Sequence, residues 1–315
     1  MKSYAEDLRT SYNRTLRPVI EKINLKGNII IAGSSWSMNA AKIVQDYLKD
    51  QIRITCIEHY DETIKLTQND ILIALSYSGN SEEATNWIRY ARRTNTPSII
   101  ITSGGRLAED SFNSPIIELT KGIPSRCSTF TIIGTLLRLF EDANLIDTQR
   151  EEVQNAVNYL REQDITKLAE ELSQKINGVI PLIYSTNTIK NAAHKFKRLI
   201  NANAKTTAFY NTIPGAEYYE AEGYDTKNAQ FHALILTTTE DISRVKKKTN
   251  IFKEAIQNQG INVTELNIKG KGLVKQTSTL IIGDLTSYYL ALRYKKDPLK
   301  DEITNKIKKD IGIYI

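Results

Sequence analysis

The chain has 315 residues, 41% of them hydrophobic and 25% charged, which excludes a disordered or fibrous protein and provides for two domains of roughly 150 residues each. Forty-two Lys and Arg against thirty-six Asp and Glu leave a net charge of +6, suited to an anionic ligand such as a phosphate ester but too slight to single out nucleic acid. Cys56 and Cys127 stand far apart with no CxxC or Cys/His cluster, so neither a disulfide framework nor a structural zinc site is supported, and the reducing cytoplasm is the expected compartment.

The first two dozen residues interleave charges every few positions and offer no uninterrupted apolar stretch, so no secretory signal is expected. Leu8, Tyr12, Leu16 and Ile20 recur every fourth residue, with Ile23 three further on, which predicts one amphipathic helix running through Pro18. NIIIA (28–32) is a continuous apolar run ending in GSSWS and followed by helical spacing through Val44 and Tyr47: strand, tight turn, helix. The cycle repeats with ITCIE from Ile54, DILIALS (70–76) and a helix from about Asn80, PSIIITS (97–103), PIIELT (115–120) and a helix near 128–142. Residues 147–175 carry no buried-strand run and read as a connector and the opening helix of a second domain.

A second cycle follows, with strands expected at GVIPLIY (178–184), KTTAFY (205–210), FHALILTT (231–238), INVTEL (261–266) and STLIIGD (278–284), and helices around 187–203, 243–259 and 284–295. Short apolar runs alternating with helices predict an α/β protein of two doubly wound domains, 1–150 and 151–315, each with a mostly parallel sheet flanked by helices. No apolar run approaches the ~18 residues of a membrane-spanning helix.

The chemistry is concentrated in ILIALSYSGNSEEATNWIRYARR, a strand ending in small hydroxyl and glycine residues that feed directly into a helix. A helix N-terminus presents unpaired N–H groups and the positive end of its dipole, and the hydroxyls of Ser76, Ser78 and Ser81 add donors, so phosphate is the ligand this arrangement fits. Gly79 lets the backbone approach closely, and Asn80 followed by Glu83 reads as a capping box with Asn80 as N-cap. A capped turn without a ligand would carry the same residues.

SYSGNSEE followed by PSIIITSGGRLAE resembles the sugar-isomerase (SIS) domain signature. The order IEHYDETIKLTQNDILIALSYSGNSEEA, IPSRCSTF, NANAKTTAFYNTIPGAEYYEAEGY and GDLTSYYLALRYKKDP is similar to that of the archaeal and bacterial bifunctional phosphoglucose/phosphomannose isomerases, over nearly the whole chain. The resemblance implies that Ser37, Ser76, Ser78, Ser81 and Arg126 hold a substrate phosphate, the arginine by its planar fork. The first turn departs from the family's glycine-rich run, with the bulky Trp36 in GSSWS.

Aldose–ketose isomerisation moves one proton between adjacent carbons through an enediol, and one carboxylate can shuttle it, so no metal or redox cofactor is expected. The resemblance points to Glu220 in YEAEGY as that base, with Glu217 and Glu222 close by, and to Asn211 and Thr212 as polar lining. The histidine that the family uses to open the sugar ring is replaced by Ile242. Of the three histidines, His59 and His194 read as structural and His232 as a candidate acid. Lys308 matches a family lysine by spacing, among Lys300, Lys306 and Lys309. The implied activity is interconversion of glucose 6-phosphate and fructose 6-phosphate, with mannose 6-phosphate as a further substrate, in a homodimer. The alternative is the same fold binding a sugar phosphate without turnover. The basic runs RVKKKTNIFK, KGKGLVK and RYKKDPLK lack a reader motif, so neither nucleic acid nor membrane is an expected partner.

Overall fold

Six consecutive residues, Asn28–Gly33, form strand β1, and all but the first are buried. Side chains alternate between the two faces of a strand, so an unbroken buried run requires cover on both faces, the condition of a central parallel strand. The computed structural model, which describes residues 2–21, 27–60, 64–110, 113–226 and 228–312, meets that condition. Ile23 lies outside the described residues.

The chain divides into two units, Met1–Arg161 and Glu162–Ile315. In the first, α1 (Lys2–Asn13), α2 (Arg17–Ile20), β1, α3 (Ser35–Tyr47), β2 (Ile54–Ile57), β3 (Asp70–Leu75), α4 (Glu82–Arg93), β4 (Ser98–Thr102), α5 (Arg106–Asp110), β5 (Ile116–Glu118), α6 (Thr129–Asp142) and α7 (Arg150–Glu162) follow in order. The five strands form one parallel sheet in the order β2-β1-β3-β4-β5. One face buries Ile30, Ala32, Leu72, Ala74 and Ile100 against Ala84, Trp87, Ile88 and Ala91 of α4. Helices α1 and α3 pack on α6.

The single N-terminal helix expected from the sequence is two helices. Pro18 falls in the first turn of α2, where its missing N–H is unneeded, whereas within a continuous helix its ring would meet the carbonyl four residues earlier. The break is held by the Leu16 N–H, which donates to Asp142 Oδ2 at 2.8 Å, while Leu8, Tyr12 and Leu16 remain buried.

The second unit contains α8 (Thr166–Lys175), β6 (Ile180–Thr186), α9 (Lys190–Ala204), β7 (Phe209–Ile213), β8 (Phe231–Thr238), α10 (Ser243–Asn258), β9 (Asn262–Ile268), α11 (Gly272–Arg293) and α12 (Glu302–Ile311). Its four strands are parallel in the order β7-β6-β8-β9. The fifth strand expected at STLIIGD is instead the middle of the 22-residue α11. A short apolar run fits a buried strand and a helix enclosed by neighbours equally well, and α11 is enclosed, packing on both α8 and α9. Gly283 is the contact point: a Cβ there would stand 2.7 Å from Cγ of Phe196 on α9.

Both sheets are thus the doubly wound parallel sheets of an α/β protein, and in each the chain leaves the first strand in one direction and returns on its other side. Adjacent loops diverge there, between β1 and β3 in one unit and between β6 and β8 in the other, which is where ligands bind in this class of sheet. Among the described residues no helix is long and apolar enough to cross a membrane.

Candidate functional site

At the β1/β3 switch point the serine loop is organised by its own hydroxyls. Ser76 Oγ accepts the Ser81 N–H at 3.3 Å, and the Gly79 N–H donates to the Ser76 carbonyl at 3.1 Å. Ser81, not Asn80, is the N-cap of α4: its Oγ accepts the Ala84 N–H at 3.2 Å and donates to Glu83 Oε2 at 2.8 Å. Asn80 lies one residue too early and serves the next loop, its Oδ1 accepting the Arg106 N–H at 3.2 Å. Ser78 is exposed, so the loop offers solvent one outward hydroxyl beside a helix start.

Glycine is required where the serine loop meets the turn after β4. Gly79 has φ +72°, and a Cβ there would lie 1.7 Å from the Gly104 carbonyl oxygen. The two loops are joined by the Ser103 and Leu107 N–H groups, which donate to the Tyr77 and Gly79 carbonyls at 2.9 and 3.0 Å. From the other side, Ser37 on α3 accepts the Tyr77 N–H at 2.9 Å, and Ser34 and Ser81 share a hydroxyl contact of 3.0 Å. Ser37 is buried, so it supports the loop instead of facing solvent. Ser35 adopts φ +54°, a left-handed conformation that favours glycine.

Arg126 is buried in a single turn of 3-10 helix at Ser125–Cys127, and the segment leading into that turn is tied to the same loop through Tyr77. The Tyr77 hydroxyl donates to the Thr120 carbonyl at 2.8 Å and accepts the Ile123 N–H at 3.0 Å. Ser37, Ser76, Ser78 and Ser81 are therefore gathered at one switch point, with the segment that leads into the Arg126 turn anchored to it. Sequence reasoning missed Ser34 and Tyr77. Ser34 stood in the quoted GSSWS, but nothing in spacing reveals that a hydroxyl after β1 meets one after β3.

The second sheet's switch point is filled from within. Asp241, after β8, is buried, and its carboxylate accepts the Thr238 N–H at 2.6 Å and the Thr188 hydroxyl at 2.9 Å. An internal carboxylate thereby takes the hydrogen bonds that an anion would otherwise receive at this position. Ile242, the next residue, is 68% exposed.

Glu220 lies in the turn after β7, between 3-10 segments at Ala216–Tyr218 and Glu222–Tyr224. Its carboxylate accepts from two strands: Asn211 Nδ2 on β7 donates to Oε1 and the Tyr184 hydroxyl on β6 donates to Oε2. Asn211 Nδ2 also donates to the Tyr219 hydroxyl at 3.0 Å. The three carboxylates of this segment are thereby distinguished. Glu217 pairs with Lys248 at 2.8 Å and accepts the Gly215 N–H at 2.6 Å; partial burial pushes its carboxyl up, but those donors hold it below the usual range. Glu222 is exposed. Burial, with Tyr224 and Glu220 beside it, pushes the Tyr184 phenol far above its ordinary value, so it stays a proton donor. Tyr184 and Tyr224 were missed by sequence reasoning, since both read as ordinary core aromatics.

The candidate acids do not join this group. His232 stands near the start of β8, paired with Pro181 of β6, while Tyr184 pairs with Ile235; an odd offset of three residues puts His232 on the opposite sheet face, roughly 10 Å back along the strand. Its Nε2 meets Thr264 Oγ1 at 2.9 Å. His194 stacks on Tyr210 at 5.1 Å between ring centroids, and His59 is exposed, edge-on to Trp87. Lys308 is exposed in the last turn of α12.

Residues 165–311 match the family described as bacterial phospho-glucose isomerase C-terminal SIS domain. A bifunctional phosphoglucose/phosphomannose isomerase from Caldicellulosiruptor bescii is 28% identical over 290 residues, covering 86% of this chain and 85% of the relative. One from Thermoplasma volcanium is 26% identical over 322 residues, covering 98% and 99%. The fold is shared with the C-terminal domain of a glucosamine-fructose-6-phosphate aminotransferase from Francisella tularensis, at a TM-score of 0.69, 13% identity and 93% coverage of each chain. Two parallel sheets of this topology, a hydroxyl loop at the first switch point, a SIS-domain match over residues 165–311 and full-length relatives agree in what the chain is similar to: the bifunctional phosphoglucose/phosphomannose isomerases.

Proposed function

We propose that the protein interconverts aldose and ketose hexose 6-phosphates, glucose 6-phosphate with fructose 6-phosphate and mannose 6-phosphate as a further substrate. The serine loop and Arg126 anchor the phosphate: Ser78 from its exposed position, Ser76 and Ser81 through the geometry they impose on the α4 N-terminus, and Ser37 by supporting Tyr77. Glu220 is the base that takes the proton from one carbon of the enediol and returns it to its neighbour. This reading assigns no role to His232, which bonds Thr264 on the sheet face opposite Tyr184, or to Lys308, exposed on α12.

The observation that carries the proposal is the carboxylate of Glu220, held by Asn211 and Tyr184 while its neighbour Glu217 is consumed by an ion pair. A single oriented carboxylate is what a one-base proton shuttle requires. The exposed Ile242, where the family pattern has a histidine, favours the alternative of binding without turnover. A coupled assay of the wild type and Glu220→Gln with each hexose phosphate tests both. Turnover by the wild type and a loss of about a hundredfold or more in the variant is expected. Equal rates would remove Glu220 as base, and binding by both proteins with turnover by neither would establish the alternative.

A cytoplasmic homodimer belongs to the same reading. The support is α12, whose Ile303, Ile307 and Ile311, spaced by four, are 79%, 53% and 66% exposed and form an apolar stripe. Light scattering on the purified chain reads the stoichiometry.

A further inference from the structure

The base proposed above does not stand alone, and its support has an internal order. Tyr184 is 1% exposed, and its ring meets Phe252 edge-to-face at 4.9 Å between centroids, so the phenol cannot swing away without opening the core between β6 and α10. A phenol has one proton, and an ionised carboxylate is an acceptor only. The Tyr184 proton therefore goes to Glu220 Oε2, and the Tyr184–Tyr224 hydroxyl contact is made with Tyr224 donating. The chain of donors runs Tyr224, Tyr184, Glu220.

The opposite oxygen is fixed in the same manner. Asn211 Oδ1 accepts the Thr212 N–H at 2.8 Å, which sets the amide orientation and turns Nδ2 toward Glu220 Oε1. Each carboxylate oxygen thus holds one strand-borne donor and keeps further lone-pair directions for substrate. Burial pushes Tyr184 and Tyr224 upward from the ordinary phenol value, so both remain donors across the neutral range.

We propose that Tyr184, backed by Tyr224, is a positioning residue for proton transfer, holding the Glu220 carboxylate in the plane from which it reaches both carbons of the sugar. This rests on the reading of Glu220 as the base. The proposal concerns kcat and not sugar-phosphate affinity, because the phosphate contacts are assigned to the serine loop and Arg126.

The test uses the full chain with Tyr184→Phe, which keeps the ring against Phe252, and with Tyr224→Phe, which removes only the backing hydroxyl. Tyr184→Phe should lower kcat for glucose 6-phosphate by about tenfold to a hundredfold with KM within about twofold. Tyr224→Phe should act in the same direction with a smaller loss, roughly threefold. Tyr60→Phe, on an exposed ring of the other unit, should leave kcat unchanged. A second readout needs no turnover: the 13C resonance of the Glu220 carboxyl carbon, assigned by its disappearance in Glu220→Gln, should move in Tyr184→Phe at fixed neutral pH.

Wild-type kcat in a folded Tyr184→Phe protein, or a rise in KM with kcat unchanged, overturns the positioning role. An unmoved carboxyl resonance overturns the hydrogen bond itself. Wild-type turnover by Glu220→Gln instead overturns the base reading, and a carboxyl resonance that still moves in Tyr184→Phe would then show that failure to be separate from the hold of Tyr184 on Glu220.

Discussion

Gly79→Ala should damage the serine loop by an amount that separates backbone conformation from steric fit. Gly79 sits at φ +72°, and the added Cβ would lie 1.7 Å from the Gly104 carbonyl oxygen and 2.9 Å from Thr102 Oγ1. The left-handed conformation alone costs an alanine about 1–2 kcal/mol. Relieving the overlap requires the loop to move off the β4 turn. That loosens the bonds from the Leu107 N–H to the Gly79 carbonyl and from the Gly79 N–H to Ser76, each worth about 0.5–1.5 kcal/mol.

The total is about 3 kcal/mol, which for a unit of this size lowers its Tm by roughly 6–12 °C. Gly122→Ala is the matched control in the same unit. Its φ is +85° with nothing within 4 Å of the added Cβ, so it bears the conformational cost without the overlap and should lose only about a third to two thirds as much. Differential scanning calorimetry reads stability, and inorganic phosphate titration reads the loop, with Gly79→Ala expected to weaken phosphate binding and Gly122→Ala to spare it. Equal Tm losses for the two variants would refute the close approach of Gly79 to Gly104, and unimpaired phosphate binding by Gly79→Ala would refute the loop as the anion site.

Two further outcomes follow from the same geometry. Ser81→Ala removes the N-cap of α4 and should cost about 1 kcal/mol by denaturant unfolding, whereas Asn80→Ala, outside the cap, should not remove that contribution; the reverse ranking would return the cap to Asn80. His232 is held below its ordinary value of 6.5, first by burial and then by the charge of Lys175, so the unfolded chain binds its proton more readily than the folded one. Stability should therefore be greatest above about pH 6.5 and fall as the pH drops below that value, and His232→Gln should flatten this dependence in denaturant midpoints measured from pH 7.5 to 5. Parallel curves for the two proteins would exclude His232 as the source.

What the amino-acid order determined by itself was the architecture of each unit. NIIIA, DILIALS, PSIIITS and FHALILTT read as buried parallel strands because a strand covered on both faces must be apolar at every position, a local property visible without partners. The serine loop was legible for the same reason: Ser76, Ser78, Gly79 and Ser81 are contiguous, and the chemistry of a helix start is local.

Three features were decided only by tertiary contacts. STLIIGD became helix because α8 and α9 enclose it, and an apolar run states that it is buried without stating by what. Asp241 fills the second switch point through contacts with Thr238 and Thr188, the latter 53 positions away along the chain. The different surroundings of Glu220 and Glu217 depend on Tyr184, Asn211 and Lys248, which come from β6, β7 and α10. Periodicity encodes which face of an element is apolar, but a carboxylate's partners are fixed by the register of strands and helices that meet only in the folded chain.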